Sequence, residues 1–589
     1  MLRTISGLLA LTSLSLGQAP TVDLGYSVYE GAYDTSFDQN LFYGIRFAQA
    51  PIGELRWQAP RAPLTNRTAT IPATAYGSQC PQTPPAPGPA DASPSGDEDC
   101  LFINVIAPAN KSGLPVFFWI HGGGYGAGNG QFDLRQQIST NNNSYIAVTT
   151  QYRLGAFGFL SSNEVAAAGL LNAGLHDQRF ALQWVQDNIE KFGGDPTRVT
   201  IAGESAGGGS VMLQGIANGG TEGTALFQGG IAGSPYLPTQ WKYNAGWPQL
   251  SYDRLVDATG CSTAKDTFSC LVGVDTVTLQ TANGDVTVSS NYGQWAFIPV
   301  TDGRLIRKRP AEQLALDKAT NGNQVLVGQN ENEGVIFCPQ NITTQDDFEA
   351  FVLTNYPNLS AENMTSILAL YAVPANASTL AVDSDGLNAP FSTTNSNFGV
   401  GWQQAVNNLY AETTFVCPAY WMGDGYSGNG KSAYRYQYSV PPASHGAELT
   451  SLTQTPSAAG NQVDETFTIA FQQIWGNFVV NGSPALSSAQ VTAAVTDCGN
   501  ITAAITWPTW GGTADSDAML VLNVTGGQPT VTPDVLDGVT INLVTYEEPN
   551  TTAYPSLEAE FLLVNGYTFE GNRGDRCALW LELGAYDFE

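Results

Sequence analysis

Apolar positions in the first two hundred residues fall into two kinds of run. Val116–Ile120 (VFFWI), Tyr145–Tyr152 (YIAVTTQY) and Val199–Ala202 (VTIA) are short continuous stretches, each ended by glycine or a turn, and they predict strands buried on both faces. Between the second and third the period changes. From Gln178 to Phe192 apolar residues recur at helical spacing, with Leu182, Val185, Ile189 and Phe192 on one face beside Ala181 and Trp184, until Gly193-Gly194 stops the pattern. Fully apolar strands separated by amphipathic helices predict the α/β class, a large and mostly parallel sheet with helices on both faces. Gln324–Gly328 and Tyr434–Val440 predict two further strands. A chain of 589 residues has room for about four domains of roughly 150 residues. No repeat or linker divides it, however, so a single large domain over residues 18–589 is expected. The proline-rich stretch Pro81–Gly96 lies between Cys80 and Cys100 and reads as a surface loop.

Composition narrows the setting. Lys and Arg number 23 against 52 Asp and Glu, a net charge of −29, which repels nucleic acid and anionic membrane surfaces. Arg3 precedes the apolar run Ile5–Leu16, and Ser15-Leu16-Gly17 supplies small residues before Gln18, so residues 1–17 are expected to be a cleaved signal peptide and the mature protein secreted. The run is too short to span a bilayer, and no stable membrane anchor is expected. The chain contains eight cysteines and only three histidines, none of the cysteines in a Cys-x-x-Cys spacing. Disulfides are therefore expected, and neither a metal nor another cofactor. Only 13 % of residues are charged, and eleven Asn-x-Ser/Thr triplets offer glycans as a solubilising coat: Asn66, Asn110, Asn142, Asn341, Asn358, Asn363, Asn376, Asn481, Asn500, Asn523 and Asn550.

The strongest local signal is Gly203-Glu204-Ser205-Ala206-Gly207, placed directly after the VTIA strand and before the helix-like Ser210–Ala217. A strand-to-helix turn this sharp needs glycines on either side of a residue held in strained geometry, and it leaves the Ser205 hydroxyl exposed as a nucleophile. His121-Gly122-Gly123-Gly124 follows the VFFWI strand. Backbone N–H groups of Gly123 and Gly124, together with that of Ala206, are the candidate donors to a developing oxyanion. In folds built on such a turn the histidine follows the serine, which among His121, His176 and His445 leaves only His445. The acid should close a strand lying between them. Glu331 and Glu333 both follow Gln324–Gly328, and position alone does not choose.

Read together, these residues resemble the type-B carboxylesterases, the esterase, lipase and cholinesterase branch of the α/β-hydrolase fold, in its secreted fungal form. The similarity spans nearly the whole mature chain, through Glu98-Asp99-Cys100-Leu101, the HGGG run, Asn172–Gln178, Phe192-Gly193-Gly194-Asp195-Pro196 and GESAG. It implies a serine hydrolase acting through an acyl-enzyme intermediate. The family places its acid before a glycine, which selects Glu333 before Gly334, and its histidine likewise, matching His445 before Gly446. Glu204 and Glu448 resemble supporting buried acids. The resemblance also implies disulfides Cys80–Cys100, Cys261–Cys270 and Cys417–Cys577, leaving Cys338 with Cys498. Gly293–Val300 resembles the acyl-pocket stretch, with Trp295 as a wall and Gly293 leaving space.

The substrate expected is a small-molecule or lipid ester. Cholinesterases of the family carry a tryptophan in the loop corresponding to Pro81–Asp99, to hold a quaternary ammonium, and this loop has no aromatic residue. Nor is it a long apolar flap of the lipase kind. Short-to-medium acyl esters are expected first and triacylglycerol second. A non-catalytic adhesion role ranks last, because Ser205, Glu333 and His445 are all present.

Overall fold

Along the VFFWI run, alternate side chains enter opposite cores. Val116, Phe118 and Ile120 belong to one buried cluster, and Phe117 and Trp119 to the other. The same split recurs at Val325/Leu326/Val327 and at Met519/Leu520/Val521, so the sheet is covered on both faces. The computed structural model describes residues 19–87, 94–374, 384–455, 463, 465–490, 505–513, 515–536, 538–547 and 555–587.

Among these the main sheet has eleven strands: β1 (Ala32–Asp34), β2 (Gln39–Arg46), β3 (Phe102–Pro108), β4 (Leu114–Ile120), β5 (Ile146–Thr150), β6 (Gly194–Glu204), β7 (Gly229–Gly233), β8 (Gln324–Asn330), β9 (Ser432–Tyr438), β10 (Ala518–Thr525) and β11 (Glu558–Asn565). They lie side by side in the order β11-β10-β9-β8-β7-β6-β4-β5-β3-β2-β1. The seven strands from β10 to β5 are parallel, and the pairings outside them are antiparallel. The expected α/β architecture is present. After β4 the chain turns toward β5, and after β6 it turns the other way toward β7. The carboxyl ends of β4 and β6 therefore open a crevice between diverging connections, where open α/β sheets bind ligands.

Two helices pack on the first face, α1 (Ala173–Asn188) and α2 (Ala206–Ile216), and three further ones matter below: α3 (Gly401–Ala411), α4 (Cys417–Gly425) and α5 (Glu465–Asn481). The last covers the second face, with Phe467, Phe471, Ile474, Trp475 and Phe478 in its core. α1 starts five residues before the expected Gln178. Asn172, at φ 54°, precedes it and is pinned by its side-chain amide to Val300 O (2.9 Å) and Asp302 Oδ2 (2.8 Å), a long-range anchor that local periodicity does not register. Its end is a tight 3₁₀ turn, Ile189–Phe192, stopped at Gly193 with φ 90°. β6 is longer than VTIA: it pairs with β4 first at Gly194 and, after an irregularity over its polar residues, again from Val199.

The C-terminal helix α6 (Phe569–Asp587) is tied to the junction of α3 and α4, a π-helical turn over Glu412–Val416. Glu412 is fully buried and accepts from Arg576 Nε (2.8 Å), Arg573 Nε (3.3 Å) and Tyr371 Oη (2.6 Å). Burial works against its charge, yet the two guanidiniums hold its carboxyl below the usual range. Cys417–Cys577 closes the same contact, and Cys80–Cys100 and Cys261–Cys270 are also formed. Cys338 is a buried thiol, and its expected partner Cys498 lies outside the described residues.

Of the glycosylation triplets, Asn66, Asn110, Asn142, Asn341, Asn358 and Asn481 are exposed, Asn363 and Asn523 are half-buried, and Asn376, Asn500 and Asn550 lie outside the described residues, as does the expected signal segment. No helix among the described residues is long and apolar enough to cross a membrane.

Glu412→Ala leaves two buried guanidiniums unpaired. It should destabilise the protein by about 3–5 kcal/mol, read as a lowered urea midpoint. A midpoint equal to that of the parent would show that the cluster does not hold α6.

Candidate active site

Ser205 is the single residue between β6 and α2, with φ 59° and ψ −125°. A side-chain-bearing residue in so sparsely populated a conformation costs about 1–3 kcal/mol and persists only where its surroundings impose it. Here the neighbouring glycines do so. A Cβ on Gly207 would lie 2.1 Å from Ile120 O, and one on Gly203 would lie 2.4 Å from the carbonyl carbon of Gly207. Hydrogen bonds complete the clamp: Ser205 N donates to Gly233 O (3.0 Å), while Ser205 O accepts from Gly209 N (2.8 Å) and Tyr236 N (3.1 Å). Ala206 opens α2, whose first N–H groups have no partner within the helix and carry the positive end of its dipole.

His445 reaches Ser205 from the loop after β9. Its Nε2 is 2.8 Å from Ser205 Oγ and its Nδ1 is 2.5 Å from Glu333 Oε2. That loop is fastened to the one carrying Glu333 by Asn332 N to Ala443 O (2.9 Å) and Asn332 Nδ2 to Pro442 O (3.1 Å). The imidazole packs against Phe415 (4.5 Å between ring centres) and edge-on against Phe337 (5.1 Å). Glu333 is fully buried, and its other oxygen accepts from Asn330 N (2.5 Å) and Ser234 Oγ (2.6 Å).

Ser234 and Asn330 are partners the sequence reading missed. Ser234 follows β7 at φ 43°, and its hydroxyl also lies 3.4 Å from Glu448 Oε1; Asn330 ends β8 and donates its amide to Glu448 Oε2. Each is a polar residue closing an apolar strand, which is the signal that could have found them. Glu448 is completely buried rather than a solvated surface acid. Glu204 Oε1 stands 3.3 Å from His445 Nε2.

Three carboxylates thus surround one imidazole away from solvent. Burial pushes Glu204 and Glu448 upward, and the other carboxylates push them further, against the pull of His445. Burial alone would depress His445, but Glu204, Glu333 and Glu448 outweigh it and raise it to about 9. A protonated Glu204 no longer attracts the imidazolium, so the proton that Glu204 takes up weakens that lift. The direction for His445 is upward through its ionised neighbours.

The glycine loop after β4 faces the same hydroxyl. A Cβ on Gly122 would sit 2.6 Å from Glu204 O and 3.0 Å from Ser205 Cβ, while Gly123 and Gly124 have φ 99° and 60°. Trp295 lies flat against this loop: a Cβ on Gly124 or Gly126 would fall within 2.2 Å of its ring, and its Nε1 donates to Thr83 O (3.0 Å). The space beside Gly293 is taken by the Phe337 backbone, 2.5 Å from where a Cβ would stand. Glycine there answers to a close chain crossing, and the expected room for an acyl group is not at that point. His121 is buried and stacked on Tyr152 (4.4 Å), with burial lowering it to about 4. His176 lies on α1, away from Ser205, and burial likewise lowers it to about 4.

Comparison with known proteins gives a consistent match. A family model described as "Carboxylesterase family" matches residues 18–525. Lipase 5 of Diutina rugosa is 32% identical over 424 residues, 67% of this chain and 75% of the relative. Secreted lipase 1 of Botryotinia fuckeliana is 37% identical over 338 residues, 51% of this chain and 58% of the relative. Carboxylesterase patB of Penicillium expansum is 27% identical over 537 residues, 79% and 88% respectively. Among solved structures, Aspergillus niger EstA superposes with a TM-score of 0.73 at 28% identity, covering 97% of this chain and 99% of that one.

With three histidines in the chain and two of them shifted downward, the one imidazole titrating above its usual value of about 6.5 should be His445. Glu204→Gln removes a negative charge that favours imidazolium, so its midpoint should fall. Histidine-selective NMR across a pH series reads this directly, and an unmoved midpoint would show that Glu204 does not act on the ring.

Proposed function

Since the chain belongs to the carboxylesterase family and is a carboxylic-ester hydrolase, we propose that Ser205 is its nucleophile, His445 its general base and acid, and Glu333 the carboxylate that orients the imidazole. The observation that carries this reading is the unbroken chain of contacts Ser205 Oγ, His445 Nε2, His445 Nδ1, Glu333 Oε2, at 2.8 and 2.5 Å. His445 takes the Ser205 proton as Oγ bonds to the ester carbonyl carbon. The N–H groups of Gly123, Gly124 and Ala206 hold the oxyanion, and the alcohol leaves with the proton from His445. Water, activated by the same imidazole, then attacks the acyl-Ser205 ester and releases the acid.

Neutral His445 is the working form. Glu333 keeps Nδ1 protonated so that Nε2 faces the serine. Glu204, Glu448, Ser234 and Asn330 support the site by holding Glu333 and His445 in place. Trp295, packed on the glycine loop, steadies that loop.

Short-to-medium acyl esters are the substrates this reading favours, because the sequence between Cys80 and Cys100 is short, proline-rich and without an aromatic residue. Several relatives bear the name lipase, one being the secreted triacylglycerol lipase LIP1 of Gibberella zeae, and this favours triacylglycerol as the second reading. Secretion is supported by the secreted fungal relatives and the three disulfides, and glycans at the exposed triplets fit the same route.

Ser205→Ala should lower kcat for a chromogenic ester by between about 10⁴ and 10⁶, with His445→Ala similar because the two act as a unit. A folded Ser205→Ala variant that remains active would end the assignment. The kcat/KM profile should rise with pH as His445 loses its proton, with its acid limb displaced upward from about 6.5 by the neighbouring carboxylates. A profile flat from acidic to alkaline pH would exclude a histidine base.

Rate against concentration of a short-chain triglyceride, followed across its solubility limit, separates the two substrate readings. Ordinary saturation below the limit is expected. A sharp jump at the limit, with preference for long-chain emulsions, would make the lipase reading primary.

A further inference from the structure

On the first face of the sheet, away from Ser205, a cavity of about 560 Å³ opens between the middle of α1 and the turn that follows Val300. Its walls include His176 and Arg179 from α1 and Arg304 and Arg307 from the turn, with Leu170 and Leu305 providing apolar surface. Three arginines around one cavity are out of keeping with a chain that carries 23 basic residues against 52 acidic ones.

The pairing pattern sharpens the point. In the run Arg304 to Arg309, Lys308 lies 3.1 Å from Glu312 and 2.9 Å from Asp317, and Arg309 lies 3.9 Å from Glu312. Arg179 is paired with Glu222 at 2.6 Å. Arg304 and Arg307, both exposed, have no carboxylate within 4 Å among the described residues. Asp302, the acid in the lining, is turned inward: its Oδ2 accepts from Asn172 and its Oδ1 from the backbone N–H groups of Arg304 and Ile306. Arg304 and Arg307 thus bring two positive charges without a carboxylate partner to the cavity wall; Arg307 Nε donates to Arg304 O (3.3 Å).

We infer that this cavity binds a small organic oxyanion, a phosphate or similar doubly charged head joined to a modest apolar body. The planar guanidiniums of Arg304 and Arg307 suit bidentate capture of such a head, and Leu170 and Leu305 receive the body. The volume lies within the range of small-molecule sites. Asn172 fastens the inner wall at Asp302 and Val300 to the start of α1, and neither Ser205 nor His445 lines the cavity.

The test is calorimetric titration of the full chain, in both its native form and as Ser205→Ala, with phenyl phosphate, inorganic phosphate and the neutral benzyl alcohol. Phenyl phosphate should bind saturably to both forms, inorganic phosphate more weakly at the same place, and benzyl alcohol not at all. Arg304→Gln with Arg307→Gln should weaken phenyl phosphate at least about tenfold while leaving ester hydrolysis intact as proof of folding. Lys308→Gln removes one positive charge from the same segment and should leave the affinity unchanged. No saturable heat at millimolar phenyl phosphate, equal binding of benzyl alcohol, undiminished binding in the double variant, or equal weakening by Lys308→Gln would each overturn the inference. Because the titration is read on Ser205→Ala as well, its outcome does not depend on the proposed hydrolytic roles.

Discussion

The backbone of one residue governs the site. Ser205 cannot relax from φ 59° without driving Gly207 or Gly203 into the end of β4, and its own amide and carbonyl are held from three directions. The cost of that conformation, about 1–3 kcal/mol, is borne by the close approach of β4, β6 and α2, which in turn rests on the two cores on either side of the sheet. The side chain is thereby carried to the imidazole, with Oγ 2.8 Å from His445 Nε2.

Around this fixed point the protein collects negative charge where water is excluded. Three glutamates and one histidine share a buried volume, and together they cannot all be ionised. The hydrogen bonds from Ser234 and Asn330 distinguish among the acids. Glu333 receives an N–H and a hydroxyl on one oxygen and the imidazole on the other, whereas burial and the neighbouring carboxylates push Glu204 upward. The hydrogen-bond donors thus fix how the carboxyl groups are turned beside the ring.

Much of this was legible in the chain because it is local. A glycine on each side of Ser205, apolar runs of strand length and the Gly-Gly after Phe192 each follow from one segment's own sterics. What escaped was long-range. The early start of α1 depends on Asn172 reaching Val300 and Asp302, more than a hundred residues away, and Ser234 meets Glu333 only because β7 and β8 are neighbours in the sheet. Gly293 reads locally as space and is in fact a chain crossing with Phe337. The choice of Glu333 over Glu331 rested on resemblance, since two acids two residues apart are equivalent until the direction of the chain after β8 is known.

The tie between α6 and the Glu412–Val416 turn bears on the order in which the molecule can be made. Phe415, which backs the His445 ring, sits in that turn, and the groups that neutralise and clamp it, Arg573, Arg576 and Cys577, follow every reacting group along the chain. A nascent chain released only as far as β11 already contains the serine, the glutamates and the histidine, yet it carries a buried-type glutamate with nothing to balance it. Such a chain holds every reacting group and the rings that back His445, yet lacks the cations and the thiol that clamp Phe415's turn.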